Sequence, residues 1–289
     1  MPAKIRLLII DPQNDFCDAP PNPAPAVPGI SPHGTGTGAL AVPGAYQDLS
    51  RLAGLVRRLG SKIDDIIVTL DSHRTIHIAH PVFWIDGNGR NPPPFTLISA
   101  ADVEAGLWTP RNPAWRQKAL DYVRKLADNG RYVLCIWPPH CLIGSAGHAV
   151  QPELFAALHR WESDEFAMVN YVTKGSNPFR EHYSAVAAEV PDFDDPSTLL
   201  NGDLIDALRD SDLIPVAGEA LSHCLLSTVT DIADNIGEEH IRKFVLLEDC
   251  TSPVPAIPGG PDFPAIGRAF IDAMKARGMK VSTSAEFLS

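Results

Sequence analysis

The chain has 289 residues, of which 45% are hydrophobic and 20% are charged, and this balance excludes a disordered or coiled-coil protein. Its 24 basic and 35 acidic side chains give a formal charge of −11, which argues against a nucleic-acid binder because such a protein presents a basic face. Five sparse cysteines without CxxC spacing indicate a reducing cytoplasm rather than a disulfide framework. No stretch approaches the length of about 18 apolar residues that crosses a membrane. We therefore expect a cytoplasmic protein with neither nucleic acid nor membrane as a partner.

Short apolar runs alternate along the chain with segments of helical periodicity. The predicted strands are residues 5–10, 66–70, 132–137, 166–172, 213–217, 243–247 and, as the weakest, 280–283. The predicted helices are residues 45–59, 115–127, 152–161, 200–208, 222–236 and 263–276. The strands are rich in Val, Ile and Leu without strict alternation, as is typical of strands buried on both faces. This order predicts a doubly wound, three-layer α/β/α fold with a central parallel sheet of about six strands.

Three irregular segments rich in Pro and Gly interrupt the regular elements, at residues 19–44, 86–94 and 252–264. Such residues favour turns, and long loops in a compact domain are usually functional or mobile. Neither an internal repeat nor a linker between domains is visible. We therefore expect one domain, residues 1–289, with elaborated loops.

Polar side chains follow five consecutive predicted strands, at the point where each strand ends. In open parallel sheets, ligands bind outside the carboxyl ends of the strands. These polar residues are, in chain order, Asp11, Asp71, His73, His140, Lys174 and Cys224. Their convergence on one edge of the sheet predicts an active site there.

An acid, a cation and a thiol are among these residues. Taken singly, Cys224 is typical of a small buried side chain, Asp11 of a turn and Lys174 of a solvated surface. Together they allow nucleophilic catalysis, because the carboxylate can take the thiol proton while the ammonium lowers both pKa values. The position of Cys224 at the start of a predicted helix also favours a thiolate.

The remaining acid and histidines form a candidate metal site. Asp71 and His73 alternate along an extended segment, so both side chains project to the same face, and His140 is the third candidate. An Asp/His/His set with open positions suits Zn, Fe or Mn. The spacing alone is weak evidence, since DxH occurs by chance. Whether the nearby His77 and His80 bind the metal or pack against the site stays open.

Six short motifs occur in the order in which a known superfamily has them. They are residues 11–16 (DPQNDF), 38–44 (GALAVPG), 71–78 (DSHRTIHI), 137–141 (WPPHC), 174–178 (KGSNP) and 218–224 (GEALSHC). As a set they resemble the isochorismatase-like cysteine hydrolases and, within that superfamily, the nicotinamidases (pyrazinamidases). The resemblance implies the fold predicted above and a metal-containing cysteine amidohydrolase.

The resemblance also implies roles for the thiol, acid and cation. In such an enzyme Cys224 attacks the carbonyl carbon of a small carboxamide and forms a thioester, which water hydrolyses to the acid. Nicotinamide is the first choice of substrate. Asp11 carries the proton from the thiol to the leaving ammonia, and Lys174 stabilises the ionised pair. The backbone amides of Ala220 and Cys224 are then expected to hold the oxyanion.

A divalent metal ion and an aromatic clamp complete the implied site. Asp71, His73 and His140 are expected to bind the ion, with Zn first and Fe or Mn as alternatives. Phe16 and Trp137 are expected to enclose the substrate ring, although ordinary core packing explains both as well. The implied partners are a small-molecule amide and further copies of the chain in a homo-oligomer.

The chain departs from the family pattern in two places. Residues 219–221 read EAL where the family has V/I-A-T beside a cis peptide bond, so this bond does not follow from the sequence. An insertion at about residues 81–131 replaces a short loop. Its apolar side chains, which include Phe83, Trp84 and Phe95, are too many for a free loop. We therefore expect the insertion to pack over the mouth of the pocket or against a neighbouring subunit. The alternative is an additional layer at the edge of the sheet, remote from the site.

Two other functions remain open from the sequence. One is a related amidase that acts on another small amide, a ureido or a carbamoyl substrate, and the long insertion favours it. The other is a catalytically silent metal-binding or assembly protein, against which the intact Asp11, Lys174 and Cys224 argue.

Overall fold

Ten strands and eight helices are formed in the computed structural model, which describes residues 3–19, 37–129, 133–257 and 260–289. The strands are β1 (Arg6–Ile10), β2 (Asp65–Asp71), β3 (Trp84–Ile85), β4 (Leu97–Ile98), β5 (Thr109–Pro110), β6 (Leu134–Cys135), β7 (Asn170–Lys174), β8 (Ile214–Gly218), β9 (Phe244–Leu247) and β10 (Lys280–Ser282). The helices are α1 (Ala45–Leu59), α2 (Ala100–Glu104), α3 (Arg116–Asp128), α4 (Pro152–Glu165), α5 (Gly202–Arg209), α6 (Cys224–Ile236), α7 (Glu238–Ile241) and α8 (Phe263–Ala276).

Six of the strands form one parallel sheet in the order β10-β9-β8-β1-β2-β7. The chain order reverses beside β1, because β2 and β7 lie on one side of it and β8 on the other. The carboxyl ends of β1 and β8 therefore lie at the topological switch point, where the strand order reverses. Ligands usually bind in the crevice at this point of such sheets. The prediction of a central parallel sheet of about six strands is confirmed.

The side chains of β1 alternate between two apolar cores. Leu7 and Ile9 pack in a cluster with α1 and α4, whereas Leu8 and Ile10 pack in a second cluster with α5 and α6. All four side chains are fully buried, which explains why this strand reads as a continuous apolar run rather than an alternating one. The two helical layers on either side of the sheet give the predicted three-layer arrangement.

The predicted helix at residues 45–59 coincides with α1. Its buried residues Leu49, Leu52, Val56 and Leu59 recur at helical spacing and face the sheet. The helix ends at Gly60, whose φ of 48° lies in the left-handed region that glycine tolerates. The helix predicted at residues 263–276 likewise coincides with α8.

The prediction of a sheet strand at residues 132–137 is wrong. Residue 132 lies outside the described residues, and of the rest only β6 is extended, paired antiparallel with β4 of the insertion and not with the main sheet. The amides of Ile136 and Trp137 donate to Thr96 O and Ala79 O, so neighbouring loops supply their hydrogen bonds. Pro138 and Pro139 follow, and prolines cannot donate to a sheet ladder.

The strand predicted at residues 166–172 begins later, at Asn170. The preceding helix α4 continues four residues beyond the predicted end and stops at Phe166, which adopts a φ of 52° and is 99% exposed.

Most of the predicted loop at residues 19–44 lies outside the described residues. None of the described helices combines the length and apolar character needed to cross a bilayer.

The insertion is a folded layer within the described residues. It contains the antiparallel pair β3–β5, the helices α2 and α3, and β4, which pairs with β6 directly after the insertion. Trp84 and Tyr122 are fully buried and belong to the same apolar core as α5 and α6. Phe95, by contrast, is 46% exposed, and its ring centroid lies 5.9 Å from that of Trp137.

Candidate active site

The predicted acid, cation and thiol come together at the carboxyl edge of the sheet. Asp11 directly follows β1, Lys174 ends β7, and Cys224 begins α6. Lys174 Nζ lies 2.9 Å from Asp11 Oδ2 and 3.6 Å from Cys224 Sγ. At most 6% of any of the three side chains is exposed, so solvent does not screen their interactions.

A threonine on the neighbouring strand holds the acid. Thr69 Oγ1 donates a hydrogen bond to Asp11 Oδ1 at 2.6 Å and accepts one from the Asp11 amide at 3.0 Å. Asp11 itself adopts a φ of 41°. Sequence reasoning missed Thr69, because a threonine inside an apolar strand is ordinary and only the paired strand shows what its hydroxyl contacts.

Burial sets the protonation of these groups. Burial raises the pKa of Asp11 and raises that of Cys224 well above its usual range, although Lys174 opposes both shifts. The ammonium lowers both pKa values as predicted, but desolvation outweighs it, so the net shift of each pKa is upward. Burial alone would lower the pKa of Lys174, but Asp11 and Asp71 hold it well above its usual range. The resting group is a neutral thiol beside an ammonium ion.

The predicted metal ligands also come together. Asp71 ends β2, and its Oδ2 lies 2.9 Å from His73 Nε2 and 3.4 Å from His140 Nε2. One donor atom from each residue lies within 4.8 Å of the other two, and all three side chains are buried. Burial would raise the pKa of Asp71, but His73 and Lys174 hold it well below its usual range. The aspartate is therefore anionic, the state in which its oxygen would bind a metal ion.

Backbone carbonyls orient both imidazoles. His73 Nδ1 lies 3.1 Å from Gly175 O, and His140 Nδ1 lies 2.8 Å from Pro138 O. Because a carbonyl only accepts, each Nδ1 carries a hydrogen, so Nε2 is the nitrogen that each ring would offer to a metal ion beside Asp71. Metal-binding histidines are oriented in this way. One carboxylate oxygen and two imidazole nitrogens fit a divalent ion such as Zn, Fe or Mn.

The two further histidines have other contacts. His77 Nε2 donates to Arg180 O at 3.0 Å and its Nδ1 accepts from the Ala79 amide at 3.2 Å, so the backbone occupies both nitrogens. His80 packs with its ring centroid 5.3 Å from that of His73. Burial lowers the pKa of His80 to about 3, so this ring is neutral.

A second carboxyl group lies beside the metal ligands. Glu181 lines the same cavity as Asp71 and His140, and 4% of it is exposed. Its Oε1 accepts from the His182 amide at 3.1 Å, while Oε2 has no hydrogen-bond partner among the described residues. A buried oxygen of this kind fits a cation. Sequence reasoning missed Glu181 because it lies in an irregular segment where no periodicity marks it.

Apolar walls surround these polar groups. Phe16 and Trp137 both line the cavity that contains Asp71, His140 and Cys224. Trp137 Nε1 donates to Tyr183 Oη at 3.1 Å, which fixes the plane of the indole. This cavity, the apolar slot, therefore has aromatic walls next to the thiol and the candidate metal group.

The backbone before the thiol is unusual. The Glu219–Ala220 peptide bond is cis, as in the family pattern, although Glu219 and Leu221 replace the family's V/I and T on either side of the alanine. Gly218 lies so close to β1 that a Cβ atom would be 2.0 Å from Ile10 O. The amides of Ala220 and Cys224 donate to no other group among the described residues. Two free amides thus lie next to the thiol.

Comparisons with known proteins identify the fold. No family model and no curated protein matches the sequence. A nicotinamidase and pyrazinamidase of Acinetobacter baumanii is 19% identical, with 99% of each chain covered and a TM-score of 0.58. The yeast nicotinamidase bound to the inhibitor nicotinaldehyde is 18% identical, with 96% of this chain and 99% of that chain covered and a TM-score of 0.59. The pyrazinamidase of Pyrococcus horikoshii in complex with zinc is 19% identical, with 97% and 99% covered and a TM-score of 0.50. The chain therefore has the three-layer α/β/α fold of these nicotinamidases and pyrazinamidases.

Proposed function

We propose that the protein is a metal-containing cysteine amidohydrolase that converts nicotinamide to nicotinate and ammonia. The observation that carries the proposal is the contact of Lys174 with both Asp11 and Cys224, directly beside an Asp/His/His group in one cavity. The named enzymes with this fold support it, since one binds nicotinaldehyde and another binds zinc.

The thiol is the nucleophile of the proposed reaction. Cys224 Sγ attacks the amide carbon while Asp11 accepts the thiol proton, and Lys174 stabilises the resulting ion pair. Asp11 then gives the proton to the departing nitrogen, and the C–N bond breaks to leave ammonia and a thioester. Water adds to the thioester with Asp11 as base, and the C–S bond breaks to release nicotinate and the thiol. A carboxyl group with a raised pKa suits both proton transfers.

The two free amides are the proposed oxyanion donors. Those of Ala220 and Cys224 flank the thiol and have no other acceptor among the described residues. Each such donor typically stabilises the tetrahedral state by about 3 kcal/mol. Because the negative charge develops only during attack, this stabilisation acts on kcat.

The substrate ring occupies the apolar slot. Phe16 and Trp137 enclose it, and the ring nitrogen faces the group of Asp71, His73 and His140. These three residues would hold a divalent ion, for which zinc is our first choice, and Glu181 would add a further carboxylate oxygen. When bound, the ion supplies a Lewis acid for a pyridine nitrogen or for water.

A related amidase activity is the second candidate, and one contact favours it. Phe95 of the insertion packs against Trp137, so the insertion shapes a wall of the slot. A slot with a wall formed by the insertion is compatible with another small amide, a ureido or a carbamoyl substrate.

Ammonia release from a panel of small amides tests both candidates. We expect nicotinamide to be the best substrate of the zinc-loaded protein and Cys224→Ala to abolish turnover. The matched control is Cys250→Ala, since Cys250 is equally buried but lies in the opposite core. A preference for an aliphatic amide or a carbamoyl compound would establish the second candidate. Absence of C–N hydrolysis across the panel would rule out both.

A further inference from the structure

A second pair of buried carboxyl groups lies behind the thiol, and the proposed reaction uses neither. Glu219 directly precedes Ala220 and is fully buried, and Asp48 of α1 is 2% exposed. The two side chains lie within hydrogen-bonding reach of each other, and Glu219 Oε1 accepts from no donor among the described residues. Ionised carboxylates only accept hydrogen bonds, so one member of this pair must carry a proton.

Ser252 connects both carboxyl groups to the segment before the thiol. Its amide donates to Glu219 Oε2 at 3.2 Å, and its hydroxyl donates to Asp48 Oδ2 at 2.6 Å. Its carbonyl accepts from the Leu221 amide at 2.9 Å. The residues on both sides of Ala220 are therefore bonded to the same serine, which fixes the backbone that carries the Ala220 amide.

The surrounding charges show which carboxyl group is protonated. The charged and titratable groups that face Glu219 are Asp48 and Arg51 on α1 and Cys17 and Asp18 after β1. Arg51 forms an ion pair with Asp48 and not with Glu219. Burial, followed by the charge of Asp48, raises the pKa of Glu219 well above its usual range. The proton therefore resides on Glu219.

We propose that Glu219 is a positioning residue whose neutral carboxyl group donates a hydrogen bond to Asp48 and thereby aims the Ala220 amide at the developing oxyanion. This inference rests on the proposed function, because Ala220 acts as an oxyanion donor only there. Loss of a whole donor costs about 10²–10³ in kcat, so a misplaced donor should cost roughly a tenth of that or more.

Two substitutions separate the hydrogen bond from simple space filling. In Glu219→Gln the amide group donates to Asp48 and its oxygen accepts from Ser252, so we expect at least about half of the wild-type kcat. In Glu219→Met the space is filled but both bonds are lost, and we expect kcat to fall about tenfold or more with KM changed less than about twofold. The same two substitutions at the exposed Glu248 are the controls and should leave both constants unchanged.

The proton on Glu219 has its own readouts. Its loss at high pH would leave two adjacent carboxylates, so kcat should decline on the alkaline side, and Glu219→Gln should lack that decline. Infrared spectroscopy at neutral pH should show a protonated-carboxyl C=O stretch that Glu219→Gln removes and Glu248→Gln keeps. The difference spectrum separates this band from those of any other protonated carboxyl group.

Three results would overturn the proposal. The first is a folded Glu219→Met protein with unchanged kcat. The second is a Glu219→Gln protein whose kcat is as low as that of Glu219→Met. The third is an infrared spectrum that the Glu219→Gln substitution leaves unchanged. If Glu219→Met does not fold, the kinetics and spectrum of Glu219→Gln still decide. A wild-type protein that hydrolyses no amide refutes the proposed function, and the positioning role falls with it. The infrared difference reports the proton in either case.

Discussion

Replacing Thr69 by Val removes the hydroxyl that holds the proposed proton acceptor and keeps the shape of the side chain. That hydroxyl lies 2.6 Å from Asp11 Oδ1, within the range of about 2.5–2.7 Å that charge-assisted O–H···O⁻ bonds adopt. Thr69 and Asp11 are both fully buried, so water does not replace the lost donor. The loss of a hydrogen bond to a charged group costs about 1.5–3 kcal/mol. At about 1.36 kcal/mol for each factor of ten, kcat/KM should fall roughly 10- to 150-fold.

The pH profile of Thr69→Val tests the role of this hydroxyl more specifically than the fall in kcat/KM does. The hydrogen bond from Thr69 lowers the pKa of Asp11 and so opposes the effect of burial. Without it the pKa rises further, and a higher pH is needed to ionise the base. We expect the acid limb of kcat/KM in nicotinamide hydrolysis to move upward by about one to two pH units.

The matched control for this variant is Thr251→Val. Thr251 is buried as well, but its hydroxyl has no partner among the described residues, so its removal should leave the profile unchanged. A Thr69→Val protein that is folded and keeps both its rate and its acid limb would falsify the role given to this hydroxyl. A reduced rate with an unshifted limb would mean that Thr69 supports the fold and not the proton acceptor.

The metal group and the insertion yield two further predictions. His140→Ala should purify with little bound zinc by elemental analysis and remain folded, whereas the exposed His159→Ala should keep its metal. Equal zinc content in the two variants would show that the ligand assignment is wrong. Phe95→Ala should change kcat/KM by more than about twofold because it removes the packing against Trp137, while Leu107→Ala, at an exposed site of the same insertion, should not. Equal behaviour of these two variants would make the insertion a decoration.

Most of the site was predictable because its side chains stand where an apolar run ends. Asp11 follows one strand of the main sheet and Lys174 ends another, and the fold alone brings the carboxyl ends of parallel strands to one edge. His140 was placed correctly for a different reason. The apolar run before it is not a sheet strand, and the backbone bonds of Ile136 and Trp137 hold it in place. An apolar run does not reveal its pairing partner.

The groups that the sequence did not reveal are those whose function depends on a partner from elsewhere in the chain. Glu181 lies in a segment without periodicity, and only the cavity shows that it lies beside Asp71 and His140. Glu219 occupies a position where the family has an apolar residue, and Asp48, which explains it, lies far away in sequence on α1. The upward shift of the Cys224 pKa could not be predicted from the sequence either, because it depends on the burial of the thiol, which only the packing determines.

The central place of β1 in the sheet also determines how long the geometry around Asp11 persists. All five of its side chains are buried and it is paired on both edges, so its amides should exchange with solvent only when the whole molecule unfolds. The carboxyl group that ends this strand is thus attached to the slowest-opening part of the chain. We therefore expect local fluctuations not to displace it, and urea to abolish its alignment only when the native state itself unfolds.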